Sequence, residues 1–347
     1  GSSDGFSTTP KLSDPFLLDR AGTTLNFVAF RSMFESVIEF GLRREHGIDA
    51  GMKVARSSYI AGCQGTSNVL AAMAYNIPVF GTMAHSFVMS YPKEIDAFRA
   101  FAKTFPNKST LLIDTYDEIA GAEKAVIVAK ELEKKDFILG GVRLDSGDLV
   151  KNSQKIRKIL DDNNLRYVKI FASGDLDEFK ITQLLNDGAR IDVFGVGTKM
   201  GTSADRPYLD VIYKLCETMT SDGSFSPIMK LSKNKITLPG RKQVYRFKNE
   251  EGFFEKDLIA LSDEKVNGEP LLVKVMDRGK IIFNLPTINE IRAEAAENIS
   301  KLPAEFKVLT NPAVYLVELS QKLQNLVETT KSQLIKNEVN NGFPKKV

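Results

Sequence analysis

Between residues 110 and 198 the chain repeats one unit, a short apolar run followed by an amphipathic stretch at helical spacing. Thr110-Leu111-Leu112-Ile113-Asp114 predicts a strand and Glu118 to Leu132 a helix. Phe137 to Asp145 and Leu149 to Leu160 repeat the pair, as do Val168 to Ala172 and Glu178 to Leu185, and Ile191 to Val196 opens the next. Strands that are apolar throughout belong in a parallel sheet covered by helices on both faces. A repeat of roughly 25–30 residues favours a closed α/β barrel over an open sheet.

The flanks read less regularly. Residues 1–24 are rich in Ser, Thr, Asp and Pro and read as loop or tail, with Gly1-Ser2-Ser3 resembling a cloning remnant. Leu25 to Phe34 suits a helix, Val37 to Gly41 a short strand ending at Arg43-Arg44, and Gly65-Thr66-Ser67 the start of a helix. Ile77 to Thr82 reads as a strand ending at His85, and Ile95, Phe98 and Phe101 have helical spacing. After about residue 205 the pattern changes to β segments at Tyr208–Leu215, Lys235–Leu238, Gln243–Phe247 and Leu271–Met276, with helices at Ile288–Ile299 and Val317–Leu326. The expected division is a tail or linker (1–24), an α/β barrel (25–205) and a smaller α+β portion with C-terminal helices (206–347).

Composition excludes several classes of function. The 347 residues carry a net charge of only +3, so nothing calls for nucleic acid or an anionic membrane as partner. No apolar run is long enough to span a bilayer, and there is no signal peptide pattern. Cys63 and Cys216 lie far apart, which fits a reducing, cytoplasmic compartment. The basic cluster at Lys230, Lys233, Lys235, Arg241 and Lys242 reads as a solvated face.

The chemistry concentrates at the ends of the barrel-like strands. Gly140-Gly141-Val142-Arg143-Leu144-Asp145-Ser146-Gly147-Asp148 sets one cation, two carboxylates and a hydroxyl at the end of a buried strand. Such charges are costly unless paired or met by a ligand. Two readings stand side by side: a ligand-binding rim, or a salt-bridged turn with a helix cap from Ser146 or Asp148. Two glycine turns follow the last two strands, Ala172-Ser173-Gly174-Asp175 and Gly195-Val196-Gly197-Thr198, where α/β barrels often bind phosphate. His85 lies just past a strand, on the same rim as Arg143 and Asp145, and reads as catalytic or structural. Arg43-Arg44 with His46 reads as an anion clamp or an exposed basic turn. Together these residues describe a site for a phosphorylated sugar and a second anionic group.

Several segments resemble the nicotinate phosphoribosyltransferase family. They are Glu39-Phe40-Gly41-Leu42-Arg43-Arg44, Gly65-Thr66-Ser67-Asn68, Gly81 to Met89, Val142 to Asp148, Asp192 to Thr198, Pro239-Gly240-Arg241-Lys242 and Tyr315 to Ser320. The resemblance implies an irregular TIM-like α/β barrel with a second, smaller, open-faced-sandwich-like α+β domain. It implies transfer of phosphoribose from phosphoribosyl pyrophosphate (PRPP) to nicotinate in NAD salvage, with Mg²⁺ and with ATP as co-substrate. His85 would be transiently phosphorylated. Arg143 would orient the pyridine carboxylate, Asp145 would hold the ribose hydroxyls, and Asp148 would lie near the Mg²⁺–pyrophosphate. Gly174, Gly197 and Thr198 would hold the 5′-phosphate with support from Ser173 and Gly195. Arg43, with Arg44, would meet phosphate groups, and Phe40 would stack on the base. Ser67 stands where nicotinamide-using relatives carry an aspartate, which would repel a carboxylate, so serine favours the acid over the amide. A homodimer with shared sites is implied.

The sequence also departs from the family pattern. An N-terminal Thr-Asp-Leu-Tyr motif, whose tyrosine stacks on the base, is not found here. Removal of an N-terminal region, closed-up gaps and a divergent member are the readings of that departure. Two other functions stay in view: a nicotinamide- or quinolinate-using relative, and a truncated, non-catalytic PRPP- or nucleotide-binding protein.

Overall fold

The computed structural model describes residues 37–204, 207, 213–232 and 235–340. The first elements are β1 (Val37–Glu39), a 3-10 turn (Leu42–Arg44), α1 (Ile48–Ala61), β2 (Gly65–Thr66), α2 (Val69–Tyr75), α3 (His85–Met89) and α4 (Glu94–Thr104). Strands and helices then alternate: β3 (Thr110–Leu112), α5 (Glu118–Glu133), β4 (Gly141–Leu144), α6 (Leu149–Asp162), β5 (Lys169–Ala172), α7 (Glu178–Asn186), β6 (Val193–Val196) and the single turn α8 (Thr198–Gly201).

These six strands form one parallel sheet in the order β2-β1-β6-β5-β4-β3. A lone parallel bridge between Thr66 and Val79 adds a stave beyond β2. Among the described residues no pairing joins that edge to β3, so the sheet is a curled half-barrel. The core explains why the strands read as continuous apolar runs. Leu111, Val142, Leu144 and Ile170 are fully buried against Ala125, Ala129, Ile156 and Leu160 of the covering helices. Each of α5, α6 and α7 starts at an aspartate whose carboxylate accepts from the first-turn amides: Asp117 from Ala120 (2.7 Å), Asp148 from Lys151 (3.1 Å) and Asp177 from Lys180 (2.8 Å). Because all strands run the same way, their C-terminal ends, and the loops that follow them, share one rim.

The second portion comprises β7 (Glu217–Met219), β8 (Phe225–Pro227), β9 (Lys242–Lys248), β10 (Phe254–Leu261), β11 (Glu269–Pro270), β12 (Met276–Asp277), β13 (Lys280–Ile281), α9 (Ile288–Ser300), β14 (Leu316–Leu319) and α10 (Gln321–Asn340). Four of these strands make a mixed sheet, β11-β9-β10-β14. Its small core is Phe254, Leu302 and Tyr315, beside a half-buried Arg246–Asp257 ion pair at 2.8 Å.

Several expected elements come out differently. Val317–Leu326 is not one helix: Leu316–Leu319 pairs in parallel with β10, and the Ser320 hydroxyl then caps α10 by accepting from Leu323 N at 3.1 Å. Gly65-Thr66 is a strand, and Asn68 caps the helix behind it by accepting from Ala71 N. Ile77–Thr82 contributes only the Val79 bridge, and His85 opens α3. The strand foreseen over Phe137–Asp145 shortens to β4, whose ladder with β3 begins at the Thr110–Gly141 pair, just after Gly140 N donates to Ser109 O. Lys235–Leu238 and Leu271–Val275 are not strands, although Leu271 N donates to Val244 O of β9, and Met276 begins β12. The tail, the Leu25–Phe34 helix, most of Tyr208–Leu215 and Lys233 lie outside the described residues. Of the remaining basic cluster, Arg241 pairs with Glu217 at 2.8 Å and Lys242 donates to Leu238 O at 2.9 Å.

Helix α5 comes onto the sheet through Gly121, where an added Cβ would stand 2.0 Å from the Ile113 carbonyl oxygen. Gly121→Ala therefore forces helix and strand apart. It should cost about 1–3 kcal/mol, the usual range for overpacking, read as a lower denaturation midpoint with an unchanged slope.

Candidate active site

The rim loops enclose a cleft of about 630 Å³. It is lined by Phe40, Arg43 and Arg44 after β1, Ser67 after β2, and the segment from Val79 to His85. Arg143 and Asp145 of β4 and its turn, Ser173, Gly174 and Asp175 after β5, and Gly195, Gly197 and Thr198 at β6 complete it. Every residue given a site role by the resemblance lies here except Asp148, and His46, grouped with Arg43-Arg44, does not line the cleft.

Arg143 is the hub. Its Nε donates to Ser173 Oγ at 3.0 Å, its Nη2 to Asp145 Oδ1 at 3.2 Å, and its Nη1 to Thr82 Oγ1. Ser173 in turn donates to Asp145 Oδ1. Burial pushes the Asp145 carboxyl up, but the Ser173 hydroxyl and the Arg143 guanidinium outweigh it and leave the group below its ordinary range. The hub is thus a preorganised ion pair.

His85 faces this pair. Its Nδ1 shares a 3.1 Å hydrogen bond with Thr115 Oγ1, and its Nε2 lies 3.9 Å from Asp145 Oδ2 and 4.0 Å from Asp114 Oδ1. Asp114 is a residue that sequence reasoning passed over. Its side chain is 3% exposed, and its Oδ2 accepts from Asp145 N (2.7 Å) and Ser146 Oγ (2.8 Å), which pins the β4 turn. Its Oδ1 is buried and accepts no hydrogen bond. The signal was present: Thr110–Asp114 ends on a carboxylate, as Phe137–Asp145 does.

The glycine turns are shaped for close approach. Gly174 has φ +101°, and a Cβ there would stand 2.2 Å from the Asp145 carbonyl oxygen. The ring of Phe40 lies on Gly195, where a Cβ would come within 2.6 Å of it. Lys199 ties the two turns together through an ion pair with Asp177 at 2.5 Å.

Asp148 does not line the cleft: it caps α6 and pairs with Lys151 Nζ at 3.0 Å, so the helix cap offered for that turn is present. Among the described residues no group of three or more His, Cys, Asp or Glu is arranged to hold a metal ion. The carboxylates that fit a hard cation, which takes oxygen ligands, are Asp145 and the partnerless Oδ1 of Asp114 behind it.

A search of protein-family models matches residues 35–257 to the nicotinate phosphoribosyltransferase family and residues 265–327 to the nicotinate phosphoribosyltransferase C-terminal domain. The chain belongs to the nicotinate phosphoribosyltransferase family. It is 45% identical over 289 residues to a nicotinate phosphoribosyltransferase of Mycobacterium tuberculosis, covering 83% of this chain and 61% of that protein. It is 40% identical over 315 residues to the Bacillus subtilis enzyme of the same name, covering 83% and 64%. The chain thus spans about three fifths of the length of these relatives. The crystal structure of human nicotinic acid phosphoribosyltransferase superposes with a TM-score of 0.72 at 27% identity, covering 91% of this chain and 74% of that one. Nicotinate-nucleotide pyrophosphorylase from Pyrococcus furiosus gives 0.63 at 28% identity, covering 81% and 70%.

Behind the Arg43-Arg44 turn lie two more carboxyls outside the sequence expectations. Glu39 is fully buried and accepts from Gly41 N and Thr66 Oγ1. Glu45 has both oxygens buried without a hydrogen-bond partner. Burial, and then the charge of Glu39, push Glu45 from the ordinary 4.5 up to about 7. Folding therefore takes up a proton between those values, and the stability this lends is lost as pH rises from 4.5 through 7. Glu45→Gln, neutral at every pH, should melt above the wild type at pH 8 and lose that advantage towards pH 5. A gap that stays constant with pH would refute the assignment.

Proposed function

We propose that this protein is a nicotinate phosphoribosyltransferase acting in NAD salvage. The observation that carries the reading is the Arg143–Asp145–Ser173 cluster, set in one cleft with two glycine turns and the Phe40 ring. A cleft of about 630 Å³ suits a base and a phosphorylated ribose together. In this assignment Arg143 orients the nicotinate carboxylate and Phe40 stacks on the ring. Asp145 holds the ribose hydroxyls. Gly174, Gly197 and Thr198 offer amides to the 5′-phosphate, with Ser173 and Gly195 shaping the turn, while Arg43 and Arg44 meet the phosphates.

The C1–O bond of PRPP breaks as pyrophosphate departs with the electron pair, and the nicotinate ring nitrogen bonds to C1. Positive charge develops on the ribose between those events. A fixed carboxylate, Asp145, beside that charge stabilises it without reorganising. The chain's further task is to hold base and sugar in line. Mg²⁺, held through Asp114 and Asp145, would neutralise the leaving pyrophosphate.

ATP enters the proposal through His85. Thr115 fixes one face of the imidazole, so Nε2 is the nitrogen that takes the γ-phosphoryl group, with ADP leaving. The added charge, up to about two negative units, would sit beside Asp114 and Asp145 and favour a different arrangement of the cleft. A homodimer fits Val69, Leu70 and Met73 of α2, which are 55–79% exposed, Val69 also lining the cleft. The unpaired Cys63 and Cys216 fit a reducing cytoplasm.

The test is incorporation of radiolabelled nicotinate or nicotinamide by the complete protein with PRPP and Mg²⁺, with and without ATP. Product from nicotinate alone, rising with ATP, is the expected result. Product from neither base would instead favour a PRPP sensor. Ser67→Asp should lower kcat/KM for nicotinate about tenfold or more, since like charges some 4 Å apart cost about 1–4 kcal/mol. His85→Ala should abolish ATP stimulation and keep basal transfer; unchanged stimulation would rule out the phosphohistidine.

A further inference from the structure

Helix α9, in the C-terminal portion, packs on α1 of the half-barrel, and one guanidinium carries most of the polar contact between them. Arg292 Nη1 donates to the carbonyls of Tyr59 and Cys63, at 2.6 Å for Cys63, and Nη2 donates to Gly62 O at 2.9 Å. Its plane lies over the Tyr59 ring, 4.3 Å from the centroid, and the Tyr59 hydroxyl donates to Asn289 Oδ1 at 2.9 Å. Arg292 therefore gathers three carbonyls from the last turn of α1 and the bend that leaves it. A cation at this end of a helix also opposes the macrodipole.

That bend leads directly to the cleft. Gly62 turns the chain with φ +130°, Gly65-Thr66 forms β2, and Ser67 lines the cleft. On the sheet side the segment is held by Gln64 N donating to Val37 O and Ser67 N donating to Glu39 O. On the far side Thr66 N donates to Pro78 O and Phe80 N to Thr66 O, and Arg292 holds the end of the segment that leaves α1. Cys63, in the middle, is buried with its Sγ 4.0 Å from Met200 Sδ in α8. Ser67 thus stands at the end of a short strap paired on one side with β1 and on the other with the Pro78–Phe80 segment, and its start is fixed by a residue more than two hundred positions along the chain.

We infer that Arg292 is a positioning residue for the base site: by clamping the carbonyls of Tyr59, Gly62 and Cys63, it sets where Ser67 stands against the bound base. The inference rests on the phosphoribosyl-transfer reading above. It makes the C-terminal portion part of the base site without touching substrate. Lysine is a poor replacement, because an ammonium is a point charge and cannot span three carbonyls with a planar fork.

The experiment is steady-state kinetics of the complete protein, wild type against Arg292→Ala and Arg292→Lys, varying nicotinate and PRPP separately. The KM for nicotinate should rise about tenfold in Arg292→Ala, as expected for a binding group moved by a fraction of an ångström, and less in Arg292→Lys. The KM for PRPP should stay within about twofold, because the phosphate turns lie on other strands. Free guanidinium at millimolar levels should restore nicotinate KM in Arg292→Ala. Amide hydrogen exchange at Gln64 and Ser67 should quicken in the same variant. If the alanine variant does not fold, the lysine variant gives the same comparison. Nicotinate KM unchanged in both variants, or both KM values rising together, overturns the inference. A wild type without turnover overturns the transfer reading instead, and unchanged exchange at Gln64 and Ser67 then overturns the clamp as well.

Discussion

Asp114 and Asp145 stand at the ends of neighbouring strands, and one carboxylate holds the other's backbone. Asp114 Oδ2 takes the Asp145 amide and the Ser146 hydroxyl, so the turn after β4 has no freedom to move away from β3. Everything on that side of the cleft inherits the constraint. Asp145 can face Arg143 and Ser173 only because its backbone is fixed there, and His85 meets two carboxylates rather than one. Buried charges are tolerated when each is matched, and this rim matches nearly all of them. The exceptions, Oδ1 of Asp114 and both oxygens of Glu45, mark places where a proton, a cation or a ligand has work to do.

Much of this was legible in the chain because it is local. The helices α4 to α7 follow from apolar spacing and from an aspartate one residue ahead of three of them. The site residues were legible for a related reason, since charged or glycine residues that end a buried strand have few other uses. What escaped was set by partners distant in sequence. Leu316–Leu319 has the apolar content of a helix continuing into Leu323 and Leu326, yet β10 offers it a free edge and wins. Gly65-Thr66 reads as a helix start until β1 is seen beside it. Asp148 was legible in its local role, since a lysine three residues on pairs with it and its carboxylate caps the helix that follows.

The half-barrel also explains why so few side chains carry the site. Parallel strands place every C-terminal end on one rim, so one residue from each loop suffices to build a wall. The glycines matter as absences. The Phe40 ring packs against Gly195, and the Gly174 turn passes within contact of the Asp145 backbone, because neither position carries a side chain. Packing of this kind leaves little room for adjustment, so shape on the phosphate side is set by backbone.

The seam between β1 and β6 pairs Ile38 with Gly195, and Phe40 N donates to Val196 O. The wall that carries Phe40, Arg43, Gly195 and Gly197 therefore joins the first described strand to the last strand of the half-barrel. During synthesis β3, β4 and β5 can pair in order as they leave the ribosome, but this seam must wait for residue 196 and then close the longest loop in the sheet. Its closure is a late step in the chain's assembly, and until then β1 exposes an unpaired apolar edge.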